Sequence, residues 1–470
     1  VYKKNHHIHF VGIGGIGMSG IAELLLNLGY RVSGSDIKES EIAQRLSSLG
    51  ASVYYGHEKK NLKDADVVVV SSAVRSDNPE VVQAHDKNIP VIPRAEMLGE
   101  LMRLKYGIAI AGAHGKTTTT SLIAAVLEYG HFDPTVVIGG KLMKTNTNAF
   151  LGAGDFLVAE ADESDGSFLT LPPTIAVVTN IDREHLDYYS GIEQIKSCFL
   201  QFLNKVPFYG LCLICLDDEH LQSTIPSMEK RTMTYGRASQ ADLQARELTF
   251  DGFSSTFTVY LRDKRLGQIT MRLPGSHNVL NALAAIGVGL ELEIPFKTIK
   301  KALREFKGIQ RRFQLLGQRR GITLIDDYAH HPTEIKMTLK AARQLKSKRV
   351  VALFQPHRYS RTKHLFNEFM TAFYDADVLI VTGIYAASEQ PIAGVTAERL
   401  CEGLREYGHK NVLYACDLQQ AEKLVLETVE SGDVFLTLGA GDVCTVGPRI
   451  MKTLRKQTGQ GDSKTGRTKA

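Results

Sequence analysis

Short apolar runs alternate with longer segments of mixed apolar and polar residues along most of this chain, the pattern of strands and helices wound around mostly parallel sheets. The first stretch predicts strands at His9–Gly12, Arg31–Ser35, Val67–Ser71 and around Val91, and helices at Ile21–Leu28, Pro79–Asp86 and Ala95–Leu104. A second alternation opens on the apolar run Tyr106–Ala111 and a helix over Ser121–Leu127, and continues with strands at Phe156–Ala159, Thr174–Asn180 and Gly210–Leu216. Between Leu248 and Leu273 the period drops to two, F-T-V-Y-L-R and Q-I-T-M-R-L flanking Arg262–Leu266, which predicts an antiparallel ribbon. A long helix begins at P-G-S-H-N-V-L-N. After the hinge-like Lys307–Phe313 a third alternation follows, with strands at Ile322–Asp326, Val350–Gln355, Val378–Thr382, Val412–Tyr414 and Val434–Leu438. Its helices fall at Thr333–Leu345, Thr362–Tyr374, Ala397–Tyr407 and Leu418–Val429, with one more at the end.

The expectation is an α/β protein of three domains, the number its 470 residues suggest. A Rossmann-like domain spans 1–106, a central phosphate-loop domain with added antiparallel strands spans 107–308, and a Rossmann-like C-terminal domain spans 309–455. The tail 456–470, made largely of Gly, Ser, Thr, Lys and Arg, is not expected to pack.

Two glycine-rich turns sit where such sheets bind ligands. Ala111–Thr120 reads A-G-A-H-G-K-T-T-T-T between a strand and a helix, the setting of a phosphate-binding loop. Gly112 and Gly115 admit a polyphosphate close to the backbone, and Ala113, His114, Thr118 and the helix start surround it. Lys116 supplies a charge and Thr117 a hydroxyl for Mg²⁺. Ile110 stands where the full Walker pattern has glycine, so the shorter G-x-x-G-K-T form remains, which we read as an ATP site. Earlier, Gly12, Gly14 and Gly17 have G-x-G-x-x-G spacing, and Asp36 ends the next strand where a ribose-binding acid falls. That turn suits any diphosphate.

Acids gather at two later strand ends: Glu160, Asp162, Glu163 and Asp165, then Asp182, Glu184, His185 and Asp187. Oxygen donors there suit Mg²⁺, with Glu160 the foremost ligand; the others are expected mostly to cap turns or face water. Asn278 either reads an adenine edge or caps its helix. In the third domain, D-D-Y-A-H-H-P (Asp326–Pro332) and Q-P-H-R-Y-S-R (Gln355–Arg361) end two strands, and Arg358 and Arg361 there suit a carboxylate or phosphate.

Charge and cysteine usage narrow the function class. A net charge of +5 fits a small polyanionic ligand better than nucleic acid. Six scattered cysteines form no disulfide framework, which points to a reducing cytoplasm, and the C-x-x-C of Cys212 and Cys215 lies inside a strand with no second pair near it. No apolar run reaches the ~20 residues that cross a bilayer.

Taken together the motifs resemble the Mur ligase family over nearly the whole chain. The likeness rests on Gly12–Glu23, Ala113–Thr119, Glu160–Asp165, Thr179–Asp187, H-N-V-L-N-A at His277–Ala282, R-R-F at Arg311–Phe313, Asp326–Glu334 and Phe354–Arg361. It implies an ATP- and Mg²⁺-dependent ligase that joins L-alanine to the lactyl carboxylate of UDP-N-acetylmuramic acid through an acyl phosphate. Within the family, a ligase that attaches a preformed peptide is the alternative. Outside it stand a nicotinamide-dependent dehydrogenase and a phosphate-loop switch ATPase, each of which leaves one glycine loop unexplained. The resemblance gives Gly14, Gly15, Gly17, Ser19 and Asp36 to the sugar nucleotide, and Thr117, Glu160 and His185 to the metal. It gives Asn278, Asn281, Arg311 and Asp326 to ATP, and Tyr328, His330, Arg358 and Arg361 to the amino acid. Lys116, His185 and Arg312 become the catalytic candidates. Relatives with a carbamylated lysine have Lys196 as the nearest counterpart, which is left unassigned, and the sequence leaves the oligomeric state open.

Overall fold

The computed structural model describes residues 6–71, 73–138, 149–185 and 188–459. Three sheets carry the fold, and each places its strand ends where the sequence concentrates polar residues. The chain divides into two compact units: Val1–Glu247 with Phe257–Thr270 and Val279–Lys307, and Leu248–Thr256 with Met271–Asn278 and Gly308–Ala470.

The first unit holds two sheets. The N-terminal sheet is parallel, in the order Ser52–Tyr55, Arg31–Asp36, His7–Val11, Val67–Val70, Val91–Pro93, so the strand order reverses beside His7–Val11. In such a sheet the crevice at the reversal is the ligand position, and the first glycine loop leaves the central strand there. The helix after that loop begins at Ile16, five residues before the apolar pattern, because Gly17–Gly20 are helical although they carry almost no apolar signal.

The central sheet has ten strands, of which Tyr106–Ala111 lies between Phe156–Glu160 and Ile175–Val178, all parallel. Val178 pairs with Ala111 and Glu160 with Ile110, so the phosphate loop and both acidic segments leave the same edge. The ribbon is a three-strand meander, Leu243–Asp251, Ser254–Leu261 and Lys264–Met271. Its turn is tighter than the Arg262–Leu266 read from the sequence, with Arg262 and Asp263 both at positive φ (46° and 64°). Cys212 and Cys215 are buried in the strand Leu211–Cys215, their thiols pushed up to about 12 by burial, which fits a packing role.

In the second unit, Gln314–Arg319 pairs antiparallel with Ile322–Asp327, and the sheet continues in parallel through Val434–Leu438, Val350–Phe354, Val378–Thr382 and Val412–Ala415. Apolar layers cover both faces, one including Ile335, Leu339, Phe354 and Phe369, the other Leu353, Phe435, Val446 and Ile450. The single helix expected over Thr362–Tyr374 is two, Tyr359–His364 and Phe366–Met370, parted at Leu365 (φ −108°, ψ 21°). The last helix, Val446–Gly459, carries the chain four residues into the tail that composition left unpacked. The remaining tail, 460–470, and Asp187 lie outside the described residues.

Candidate active site

The phosphate loop is built by close backbone approach. Gly112 has φ 129°, and a Cβ there would stand 3.0 Å from the Asn180 carbonyl oxygen and 3.1 Å from its nitrogen. Asn180 reaches back with its side chain, accepting from the His114 N–H (2.9 Å) and donating to the His114 carbonyl (2.9 Å). The Ala113 N–H donates to the Asn180 carbonyl (3.2 Å), and the His114 imidazole meets Asp182 at 2.8 Å. Gly115, at φ 83°, precedes the helix Lys116–Tyr129, which starts with polar residues and so begins earlier than its apolar positions. Asn281 fills the space a Gly115 Cβ would need, 2.6 Å away, and accepts from the Thr119 hydroxyl at 3.2 Å. Thr117 and Thr118 are buried in the first helical turn.

Lys116 Nζ donates to the carbonyls of Gly112 (2.6 Å) and Ala113 (3.3 Å) and pairs with Glu163 at 2.7 Å. Burial pulls its pKa down, but Glu163, Asp162 and Glu184 outweigh that and leave it raised. Burial pushes Glu163 the other way and holds its carboxyl above the usual range despite Lys116. Glu163 Oε2 is buried and, among the described residues, has no hydrogen-bond partner. Ligand atoms of Glu163, Glu184 and His185 all lie within 4.8 Å of one another, with His185 in a left-handed conformation (φ 54°) that turns it back toward the acids. The sequence singles out Glu160 and His185; Glu163 and Glu184 join His185 only through the fold, since nothing in the order of acids ranks them. Glu160 ends its strand beside Ile110. Asp165 accepts from the Ser167 N–H and Asp182 from the Arg183 N–H, the turn-capping roles expected of most acids here.

At the first glycine loop, the Gly12 and Ile13 N–H groups donate to the Ser35 carbonyl (2.8 and 3.0 Å). Asp36 accepts from the Gly14 N–H at 2.9 Å, so its carboxylate braces the loop it was expected to work beside. Gly15 caps the following helix and its carbonyl accepts from Ser19, which is buried. A Cβ on Gly17 would stand 2.8 Å from Arg94 Nη1, and that arginine pairs with Asp162 at 3.0 Å. Arg94 has no motif signal.

In the second unit, Arg311 (φ 59°) spends its guanidinium on the chain after Val434–Leu438, donating to the Gly439 (2.5 Å) and Gly441 (3.2 Å) carbonyls and lying 3.4 Å from Asp326. Arg312 makes a looser contact with Glu334 (3.8 Å), and both arginines lie over the Tyr328 ring. Burial raises Asp326, and it pushes Asp327 up to about 6 against the pull of Arg312. Desolvation, helped by the Arg312 charge, drives His277 down to about 4. Asn278 donates to the Pro274 carbonyl at 2.7 Å. The rings of Tyr328, His330, His357 and Tyr385 form a continuous run with centroids 5.4–5.7 Å apart. Arg361 Nη1 lies 3.3 Å from His357 Nδ1, and burial beside His330 and the arginines presses His357 down to about 3. Arg358 is exposed at φ 70°, where its N–H donates to the Tyr385 carbonyl.

Three successive segments match models of one family: residues 7–106 the Mur ligase catalytic domain, 110–289 the Mur ligase middle domain and 311–441 the Mur ligase glutamate ligase domain. The chain belongs to the Mur ligase family, ATP-dependent enzymes that form amide bonds. It is 59% identical to the UDP-N-acetylmuramate–L-alanine ligase of Trichlorobacter lovleyi, over 97% of this chain and 100% of that protein. The corresponding ligase of Syntrophotalea carbinolica is likewise 59% identical, with the same coverage. Among solved structures, the UDP-N-acetylmuramate–alanine ligase of Thermotoga maritima superposes with a TM-score of 0.81 at 31% identity, covering 96% of this chain and 99% of that one. A murein peptide ligase from Psychrobacter arcticus has a TM-score of 0.70 at 25% identity, with equal coverage.

Proposed function

We propose that this chain is an ATP-dependent ligase that joins L-alanine to the lactyl carboxylate of UDP-N-acetylmuramic acid in peptidoglycan synthesis. The observation that carries it is 59% identity to alanine-adding ligases along 97% of the chain, against 25% and 30% to two peptide-adding relatives of solved structure. The reaction belongs to the cytoplasm, where its nucleotide substrates are made. Among the described residues no helix is long and apolar enough to cross a membrane. We take the domains as 1–106 for the sugar nucleotide, 107–308 for ATP and 309–455 for the amino acid.

A carboxylate is a weak electrophile, so the reaction first forms a bond from a lactyl oxygen to the γ-phosphorus of ATP and breaks the β–γ bridge, releasing ADP. The amine of L-alanine then attacks the acyl phosphate carbon, and inorganic phosphate departs as the amide forms. Phosphoryl transfer asks a protein mainly for positioning and charge. On this reading Lys116 turns from Glu163 to the phosphates, Arg312 adds a second cation, and Gly112–Thr118 with Asn278, Asn281, Arg311 and Asp326 hold the nucleotide. Gly14, Gly15, Gly17, Ser19 and Asp36 hold the sugar nucleotide. Tyr328, His330, Arg358 and Arg361 hold the amino acid. Mg²⁺ fits the donor set: hard oxygens converge here, and the unpartnered Glu163 Oε2 sits among them. Thr117, Glu160 and His185, together with the Glu163 and Glu184 carboxylates that meet His185, would hold it, where it would neutralise charge on the phosphates. His185 is also the candidate to receive the amine's proton.

The test is phosphate release from ATP, with UDP-N-acetylmuramic acid present and each amino acid added in turn. Turnover should need both co-substrates, and hydroxylamine should trap the acyl phosphate. Rapid hydrolysis of ATP alone, or turnover with a preformed peptide and none with L-alanine, would overturn the assignment.

A further inference from the structure

The N-terminal sheet buries a carboxylate among polar side chains. Glu80, in the first turn of the helix Pro79–Asp86, is 0% exposed. Its Oε2 accepts from the Ser35 hydroxyl (2.5 Å) and lies 3.4 Å from His57 Nδ1 and 3.6 Å from His9 Nε2; its Oε1 accepts from Asn61 Nδ2 (2.6 Å) and the Glu58 N–H (3.4 Å). Packed apolar side chains often stabilise a core as well as a buried charged pair does, so a role for this carboxylate beyond stability is worth asking for.

Two hydrogen-bonded routes lead from Glu80 to the first glycine loop. By the first, Glu80 fixes the Ser35 side chain, while the Ser35 carbonyl accepts from Gly12 and Ile13. By the second, Asn61 donates both to Glu80 and to the Gly56 carbonyl (3.1 Å), the Gly56 N–H donates to the Asp36 carbonyl (2.8 Å), and the Asp36 carboxylate accepts from Gly14. Both routes end on the loop's backbone, within Gly12–Gly14. The donor count also fixes direction. The Ser35 hydroxyl has one proton, which goes to Glu80, so His57 Nδ1, 2.9 Å away, must be the donor to Ser35. A neutral glutamine at position 80 would set its NH₂ either against Ser35, whose pair with His57 would then reverse, or against the donors Asn61 Nδ2 and Glu58 N–H.

We propose that Glu80 is a positioning residue for sugar-nucleotide binding: its buried carboxylate, through Ser35 on one side and Asn61 on the other, sets the backbone of the diphosphate-binding turn. The inference rests on the assignment of that loop to the sugar nucleotide. The ionised form suits the role, since the nearby His9 and the bonds from Ser35 and Asn61 outweigh burial and hold the Glu80 pKa below its ordinary value.

Steady-state kinetics of the full chain test this. Glu80→Gln should raise the KM for UDP-N-acetylmuramic acid about tenfold, the loss of one charge-assisted hydrogen bond, while kcat and the KM for ATP stay within about twofold. Ser35→Ala and Asn61→Ala each cut one route, and should raise the same KM by a smaller factor; they decide the matter if Glu80→Gln does not fold. A lowered melting temperature with that KM unchanged, or equal rises in both KM values, would overturn the proposal. Gly14→Ala, whose Cβ would stand 2.8 Å from the Asp36 carboxylate, separates the two readings. If it leaves the sugar-nucleotide KM unchanged, the assignment of the loop fails. If it raises that KM and the Glu80, Ser35 and Asn61 variants do not, only the positioning role fails.

Discussion

Lys116 and Glu163 form a tight pair in which each partner changes the other's acid–base chemistry: the lysine is held charged, and the acid is buried with one oxygen that has no hydrogen-bond partner among the described residues. Lys116→Ala should remove catalysis while UDP-N-acetylmuramic acid still binds, because the sugar-nucleotide loop does not touch this pair; calorimetry with the sugar nucleotide alone checks it, and lost binding would mean the two loops are misassigned. On the proposed assignment Arg358 and Arg361 hold the amino acid's carboxylate and do not themselves discriminate. Guanidinium forks hold every α-carboxylate alike, which leaves discrimination to a pocket reading one methyl. L-Serine and glycine should therefore be poorer substrates by roughly 10–200-fold and not excluded. Arg358→Lys should weaken all three amino acids by similar factors and leave ATP affinity unchanged, since a point charge replaces a fork. Comparing kcat/KM for the three in both proteins checks this. Arg311 has a different load, because its donors are spent on the Gly439 and Gly441 carbonyls.

At the scale of the element, both glycine loops share one device: a strand ends, a glycine takes positive φ, and a helix begins. Gly12 (φ 81°), Gly112 (φ 129°) and Gly115 (φ 83°) are positions in these loops where a side chain is strained whatever the space. Gly115→Ala adds a clash with Asn281, so ATP affinity should fall by tenfold or more, consistent with ~1–3 kcal/mol for a strained residue at such a position. Sugar-nucleotide affinity should hold; nucleotide titration of the variant measures both. These loops were legible in the sequence because glycine spacing and flanking apolar runs are local signals. The helix starts were not: Lys116–Thr120 and Gly17–Gly20 have almost no apolar periodicity, and burial of the threonines in the first and the turn itself in the second override propensity.

For the molecule as a whole, acid should weaken the C-terminal unit first. An imidazole with an ordinary value near 6.5 is held at about 3 in His357 and about 4 in His277. Between those values and 6.5 the unfolded chain takes up protons that the folded one refuses, so their contribution is neutral above 6.5 and increasingly destabilising as pH falls below it. Asp326 and Asp327, both raised by burial and the latter to about 6, work the other way, against three histidines of this unit held down, His277, His357 and His409. The urea midpoint should drop between pH 7 and pH 5, and His357→Gln should reduce that drop. An unchanged pH dependence in the variant would remove His357 as a cause.

The sequence by itself determined the α/β class, the three alternating segments, both glycine loops and the polar strand ends, because each is written in residues close along the chain. Tertiary structure alone decided which acids meet. Glu163 and Glu184 come together because Phe156–Glu160 and Ile175–Val178 flank Tyr106–Ala111 in register, a fact of strand pairing that no local pattern encodes. The same holds for Asn281 under Gly115, Arg94 beside Gly17, and Glu80 below the first loop, each joined to its partner across a long stretch of chain. Their identities are plain in the sequence, but a buried polar group acquires meaning only from the neighbours that satisfy it, and those neighbours are chosen by the packing of the sheets.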